Sequence, residues 1–143
     1  MKKIILYIFL ILLFLNNNTL AKENFFNEAK KKFDKKKFED SKFLFQRNIV
    51  FNPKDSRSYL YLAKIYNKEK NEKEEIKNLK TTLLLEPKNE EALFMLIDIK
   101  LEKSNFSEVR NLKKNFLIIC KKLCEKSKEI DERLKNIEAK NES

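Results

Sequence analysis

From Lys22 onward, bulky apolar side chains recur at spacings of three and four, and lysine, glutamate and asparagine fill most of the positions between them. That period gathers the apolar set on one stripe of an α-helix and leaves the charges opposite. The pattern predicts seven helices. The first spans 23–33 on Phe25, Phe26, Ala29 and Phe33, and the second 36–51 on Phe38, Ser41, Leu44, Phe45 and Ile49. The third spans 56–68 on Tyr59, Leu62, Ala63 and Tyr66, and the fourth 72–85 on Ile76, Leu79 and Leu83. The fifth spans 90–102 on Leu93, Leu96, Ile97 and Leu101, and the sixth 106–119 on Phe106, Val109, Leu112 and Phe116. The last spans 125–140 on Ile130, Leu134 and Ile137. The connections are short, as antiparallel helix neighbours require. Asp55 or Ser56 is placed to cap the third helix, Asn89 the fifth, and Ser104 or Asn105 the sixth.

Two breakers punctuate this pattern. Pro53 follows Ile49-Val50-Phe51, and Pro87 follows Leu83-Leu84-Leu85. Proline lacks an amide N–H and clashes with the preceding turn, so each marks the end of a helix. The step from 53 to 87 is the length of a helix–turn–helix repeat, so the returning breaker marks the end of a repeating helix pair.

The first 21 residues break the pattern. Lys2 and Lys3 precede an uninterrupted apolar run, Ile4–Leu15, and Thr19-Leu20-Ala21 offers small residues where a signal peptidase reads. Twelve apolar residues are short for a membrane span, which needs about 20. Residues 1–21 are therefore expected to be a signal peptide, with an uncleaved N-terminal anchor as the alternative. The protein would then be exported, periplasmic or secreted, or else held at the inner membrane. No cysteine follows the apolar run, so nothing supports a lipoprotein-type anchor.

Composition narrows the chemistry. The chain of 143 residues has no glycine, no histidine and no tryptophan. Without glycine there is no phosphate-cradling loop, dinucleotide fingerprint or serine nucleophile elbow. Without histidine the commonest general base and metal ligand are missing. An enzyme is not expected, nor is a cofactor or a metal. The net charge is +10, and +8 once residues 1–21 are removed. Only Arg47, Arg57, Arg110 and Arg133 among the cations are arginine, whereas base recognition leans on bidentate arginine. Together with an export signal, this argues against a nucleic-acid partner. Lys30-Lys31-Lys32 and Lys35-Lys36-Lys37 could meet anionic headgroups or an acidic partner, but in a lysine-rich chain they read first as solvated helix ends. Glu74, Glu75, Glu90 and Glu91 read as helix N-terminal charge with nothing near to shift their titration.

Cys120 and Cys124 are the only cysteines. A spacing of four is not the Cys-x-x-Cys of thioredoxin-like sites. In an exported chain the simplest reading is a structural disulfide between the last repeat and the final helix, contributing about 2 kcal/mol. Two buried free thiols, or a thiol-redox site, remain as alternatives.

With each proline set at position 32 of a unit as long as the step between them, the units begin at Lys22, Ser56 and Glu90. The second carries Tyr59 at position 4, Leu62 at 7, Ala63 at 8, Tyr66 at 11, Leu79 at 24 and Pro87 at 32. The first carries Phe25, Ala29, Phe38, Ser41, Phe45 and Pro53 at 4, 8, 17, 20, 24 and 32. The third carries Leu93, Leu96, Ile97, Phe106 and Phe116 at 4, 7, 8, 17 and 27. This resembles the tetratricopeptide repeat over roughly residues 22–121. The departures are Glu75 at position 20, Lys100 at 11, a large Ile97 at 8, Phe33 at 12 where 11 is usual, no glycine in any turn, and no proline in the third unit. The resemblance implies an all-α, right-handed α-solenoid. Its domain would span 22–140, with units at 22–55, 56–89 and 90–121 and a capping helix at 125–140. Glu125, Lys128, Asp131, Glu132 and Lys135 would form the polar outer side of that cap.

The resemblance also implies a ligand groove lined by positions 2, 5, 9 and 12 of each first helix. These are Arg57, Leu60, Lys64 and Asn67, then Glu91, Phe94, Asp98 and Leu101. Leu60, Phe94 and Leu101 would supply apolar contacts, and Arg57 with Lys64 would hold a carboxylate. The expected function is a non-catalytic module that binds a peptide or helix of another protein, an envelope component. A membrane-tethered assembly subunit is the alternative.

Overall fold

The computed structural model describes residues 17–141, and the only regular secondary structure among them is α-helix. Seven helices follow one another: α1 (Asn17–Asp34), α2 (Phe38–Phe51), α3 (Ser56–Lys68), α4 (Glu72–Leu85), α5 (Glu90–Glu102), α6 (Phe106–Ile119) and α7 (Lys126–Asn141). The four central helices, α3 to α6, have the bounds that apolar periodicity predicts. α1 begins earlier than expected and runs through the proposed cleavage point after Ala21. The apolar run Ile4–Leu15 lies outside the described residues. No described helix is long and apolar enough to cross a membrane.

The turns inside the three helix pairs are copies of one device. Lys36, Lys70 and Ser104 fall at the same place in successive units, with φ of 59°, 56° and 53°. In each turn this residue donates to the carbonyl three back: Lys36 to Phe33, Lys70 to Asn67, Ser104 to Leu101. The residue after it donates to the carbonyl five back: Lys37 to Lys32, Asn71 to Tyr66, Asn105 to Lys100. This is the Schellman closure, which satisfies the last carbonyls of a helix through one left-handed residue. Asn71 and Asn105 then cap the next helix, accepting from the amides of Glu74 and Glu108. Lys37, the equivalent residue of the first pair, makes no side-chain cap.

Between pairs, proline ends the helix as expected. Asn52 and Glu86 close α2 and α4 by donating to Asn48 and Thr82. Asn89 caps α5 by accepting from Ala92. The expectation for α3 needs correction, because Asp55 makes no side-chain cap there. Its carboxylate is buried and accepts from Asn48 at 2.8 Å, from Ser58 at 3.0 Å and from Arg57 at 2.8 Å. The third unit replaces its missing proline with a different lock. Lys121 occupies the proline position, and its amide donates to Glu90 at 2.8 Å, joined by the amides of Lys122 and Leu123. Proline has no amide to offer at that point.

The core forms three successive clusters. Phe26 and Ala29 of α1 meet Phe45 of α2 with Leu62 and Ile65 of α3. Leu60 and Ala63 of α3 meet Leu79 of α4 with Ala92, Leu96 and Ile99 of α5. Leu93, Ile97 and Leu101 of α5 meet Val109 and Phe116 of α6 with Ile130 and Leu134 of α7. Thus α3 and α5 each divide their apolar faces between two neighbouring clusters, the packing of an α-solenoid. Full burial of Phe45 or Phe116 contributes roughly 1.5–3 kcal/mol. Position 8 is wholly buried in all three units, as Ala29, Ala63 and Ile97. The last helix and the residue before it turn Glu125, Lys128, Asp131, Glu132 and Lys135 to solvent.

Candidate functional site

The first helices α3 and α5 stand side by side and carry the eight residues that the resemblance assigns to a groove. The structure divides that set. Leu101 is fully buried beneath α7, in the cluster with Phe116 and Ile130, so it is a core residue and not a groove contact. Leu60 is only 8 % exposed and packs on Leu79 and Leu96. Stacking the next unit removes both from the surface, which a single helix pair cannot do. Phe94 is half-buried, against the Phe116 ring at 6.2 Å and beneath the Lys126 ammonium at 5.5 Å.

The cations expected to hold a carboxylate already hold internal ones. Arg57 donates from Nε to Asp55 at 2.8 Å, and its guanidinium lies over the Phe26 ring at 4.1 Å. Lys64 pairs with Glu91 at 2.7 Å, and its ammonium stands 4.8 Å from the Tyr61 ring centre. The predicted Arg57–Lys64 clamp is therefore corrected: both charges serve to fasten helices.

Asn67 and Asp98, by contrast, come together in an open cleft of about 480 Å³ at the junction of the second and third units. Its other walls are Lys70, Glu72, Glu75, Met95, Ile99 and Glu102. The C-terminal halves of α3 and α5 form its sides, and the N-terminal turn of α4 closes it. Glu75, the misfit at position 20, is 4 % exposed and accepts from the Asn67 amide at 3.1 Å. Burial pushes its carboxyl above the usual range; Asn67 opposes this, and Glu102, Glu72 and Asp98 add to it. Burial also raises Asp98, and a hydrogen bond and charge from Arg133 of α7 only partly offset that. Glu72 pairs with Lys103 at 2.5 Å. The cleft thus holds four carboxylates over the apolar surface of Met95 and Ile99. It suits a cation with an aliphatic stem, or a chain presenting N–H donors.

Glu90 departs from expectation in the opposite direction. The amides of Lys121 and Leu123 lead in holding its carboxyl below the usual range. Cys120 and Cys124 lie in the segment so fastened, outside both flanking helices. Their sulfurs are joined and their Cα atoms are 5.2 Å apart. Of the lysine runs, Lys30 pairs with Asp34 at 2.7 Å and Lys32 with Asp40 at 3.2 Å, and Lys35 and Lys36 form the first turn. Among the described residues no cluster of cysteine and carboxylate side chains is arranged to hold a metal ion.

The sequence reading missed Lys70, Glu72, Met95, Ile99 and Glu102. They sit at different positions of two units and become neighbours only through stacking. Glu75 carried a signal, since it is a charge where the repeat wants a small side chain.

No protein-family model matches the chain, and no curated protein matches it. Solved structures do. The type III secretion chaperone SycD of Yersinia enterocolitica, in complex with a peptide of the translocator YopD, superposes with a TM-score of 0.72 at 20 % identity, covering 89 % of this chain and 98 % of that one. The OM64 TPR domain of Arabidopsis gives 0.73 at 14 % identity, covering 84 % and 98 %. PcrH, in complex with the chaperone-binding region of PopD, gives 0.68 at 12 % identity, covering 83 % and 92 %. The fold is of the tetratricopeptide-repeat type.

Proposed function

We propose that this chain is a non-catalytic binding module of the cell envelope. It takes a basic and apolar segment of another protein in the groove between its first helices. The acidic cleft lined by Asn67, Glu75, Asp98 and Glu102 is the observation that carries this reading. A buried carboxylate such as Glu75 is costly unless something offsets it, and an incoming ammonium or guanidinium would do so. Met95 and Ile99 would receive the stem of that side chain, and Phe94 the next apolar residue along the peptide. SycD and PcrH, whose fold this chain shares, were each solved with a peptide or binding region of a partner protein, which supports a peptide as the occupant. The signal-like residues 1–21 support export, and an oxidising compartment would keep Cys120 and Cys124 joined.

The test is a display selection of short peptides against the full chain, followed by titration of the winners. Selected peptides are expected to carry lysine or arginine beside apolar residues. Glu102→Lys is expected to weaken them by about tenfold or more, the scale of losing one charge-assisted contact and meeting a like charge. Acidic winners, or winners indifferent to both Glu102→Lys and Phe94→Asp, would remove the groove from consideration.

A further inference from the structure

The second helices repeat a feature that neither the core nor the cleft uses. Val50, Leu84 and Ile118 recur at the period of the repeat, and they are 77 %, 80 % and 81 % exposed. They occupy the same place, the last turns of α2, α4 and α6, so the solenoid sets them in a row along one edge. Phe51 and Leu117, each more than half exposed, widen it. Exposed apolar residues scattered singly need no explanation, but a row repeated at the period of the fold is a surface.

Cations border this row at the same period. Lys54, Lys88 and Lys122, one after each of α2, α4 and α6, are exposed in the connections just beyond it. Lys80 and Lys114 are exposed one helical turn before it. Lys54 and Lys88 have no side-chain partner among the described residues. The same edge is where the chain enters the fold. Phe25, in the first half of α1, stacks on Phe51 at the end of α2 with ring centres 5.5 Å apart. The sequence leading into α1 contains the apolar run Ile4–Leu15.

We propose that this edge rests on an anionic lipid bilayer, with Val50, Leu84 and Ile118 among the acyl-chain ends of the headgroups and the lysines on the phosphates. Apolar side chains flanked by lysine are the composition of an interfacial surface, and each lysine near an anionic leaflet adds attraction. A second copy of the chain is the poorer occupant, because pairing the rows would face lysine against lysine on a chain of net charge +10. The acidic cleft lies at the opposite ends of the helices, so it would face away from the bilayer, open to a partner.

Site-specific photocrosslinking in the full chain tests this. A benzophenone side chain at position 84 or 118 is compared with one at position 43, since Phe43 is also exposed but lies near the start of α2. The protein is mixed with phosphatidylcholine vesicles, with and without phosphatidylglycerol. Lipid adducts are expected at 84 and 118 and not at 43, only in the anionic vesicles, and suppressed by high salt. The triple variant Val50→Glu, Leu84→Glu, Ile118→Glu should keep the parent's circular dichroism and lose the lipid adduct of a probe placed at Leu117. Equal adducts at 43 and 84 would mean that the N-terminal run alone brings the chain to the vesicle, and would overturn the proposal. A crosslinked band at twice the chain mass, or an adduct with another protein in whole cells in place of lipid, would also overturn it.

Discussion

Glu75 puts a carboxylate where burial works against it. It stands where the repeat has a small residue, and among the described residues only the Asn67 amide donates to its carboxylate. Because burial raises its pKa, the folded state binds a proton more readily than the unfolded state. Stability therefore falls as pH rises from the ordinary carboxylate range through the raised value, and stays lower above it. Glu75→Gln keeps the shape without the charge. It should raise stability at pH 7 by roughly 1 kcal/mol, the ordinary scale of one buried substitution, and show no gain at a pH below the normal glutamate value. Urea midpoints at the two pH values check this; an equal gain at both would locate the effect elsewhere. Glu90 has the reverse sign. Its depressed pKa adds stability above the normal glutamate range, and that contribution fades as pH falls through the lowered value.

At the scale of an element, the turns inside the helix pairs are the least economical parts of the chain. Each needs one residue in the left-handed region, and this sequence supplies lysine or serine in a chain with no glycine at all. A side chain with a Cβ is disfavoured there by about 1 kcal/mol relative to glycine. Lys70→Gly is thus expected to stabilise the protein by up to about 1 kcal/mol, although glycine in a helix normally does the opposite. Lys80→Gly, ten residues later and exposed in the interior of α4, should destabilise by a similar amount. Thermal melts of the two variants give opposite signs if the backbone argument holds and the same sign if it does not.

At the scale of the molecule, helices pack on neighbours in the same or the adjoining unit, and α7 closes the series against α5 and α6. Ile130 is fully buried in the third cluster. Ile130→Ala should cost about 2–4 kcal/mol through lost packing and the cavity left behind. In a structure whose units touch only their neighbours, the loss should appear first in the end that contains it. Hydrogen exchange is then expected to quicken more in α5 and α6 than in α1 and α2. A uniform increase would show that the solenoid unfolds as one block.

Much of this architecture was already legible along the chain. A period near 3.6 is local, so apolar spacing placed all seven helices. The proline interval is also local, and it placed the ends of the first two units. The αL turns escaped notice because their usual marker, glycine, is missing, and backbone conformation is not written in lysine or serine. The lining of the cleft was half legible. Resemblance named Asn67 and Asp98, which do line the cleft, but also Leu101, which α7 buries, and Arg57 and Lys64, whose charges are taken by Asp55 and Glu91. Apolar periodicity located the seven helices, and the two prolines located the ends of the first two pairs. Stacking decided which side chains remain free, because exposure and charge balance depend on neighbours that are distant along the chain.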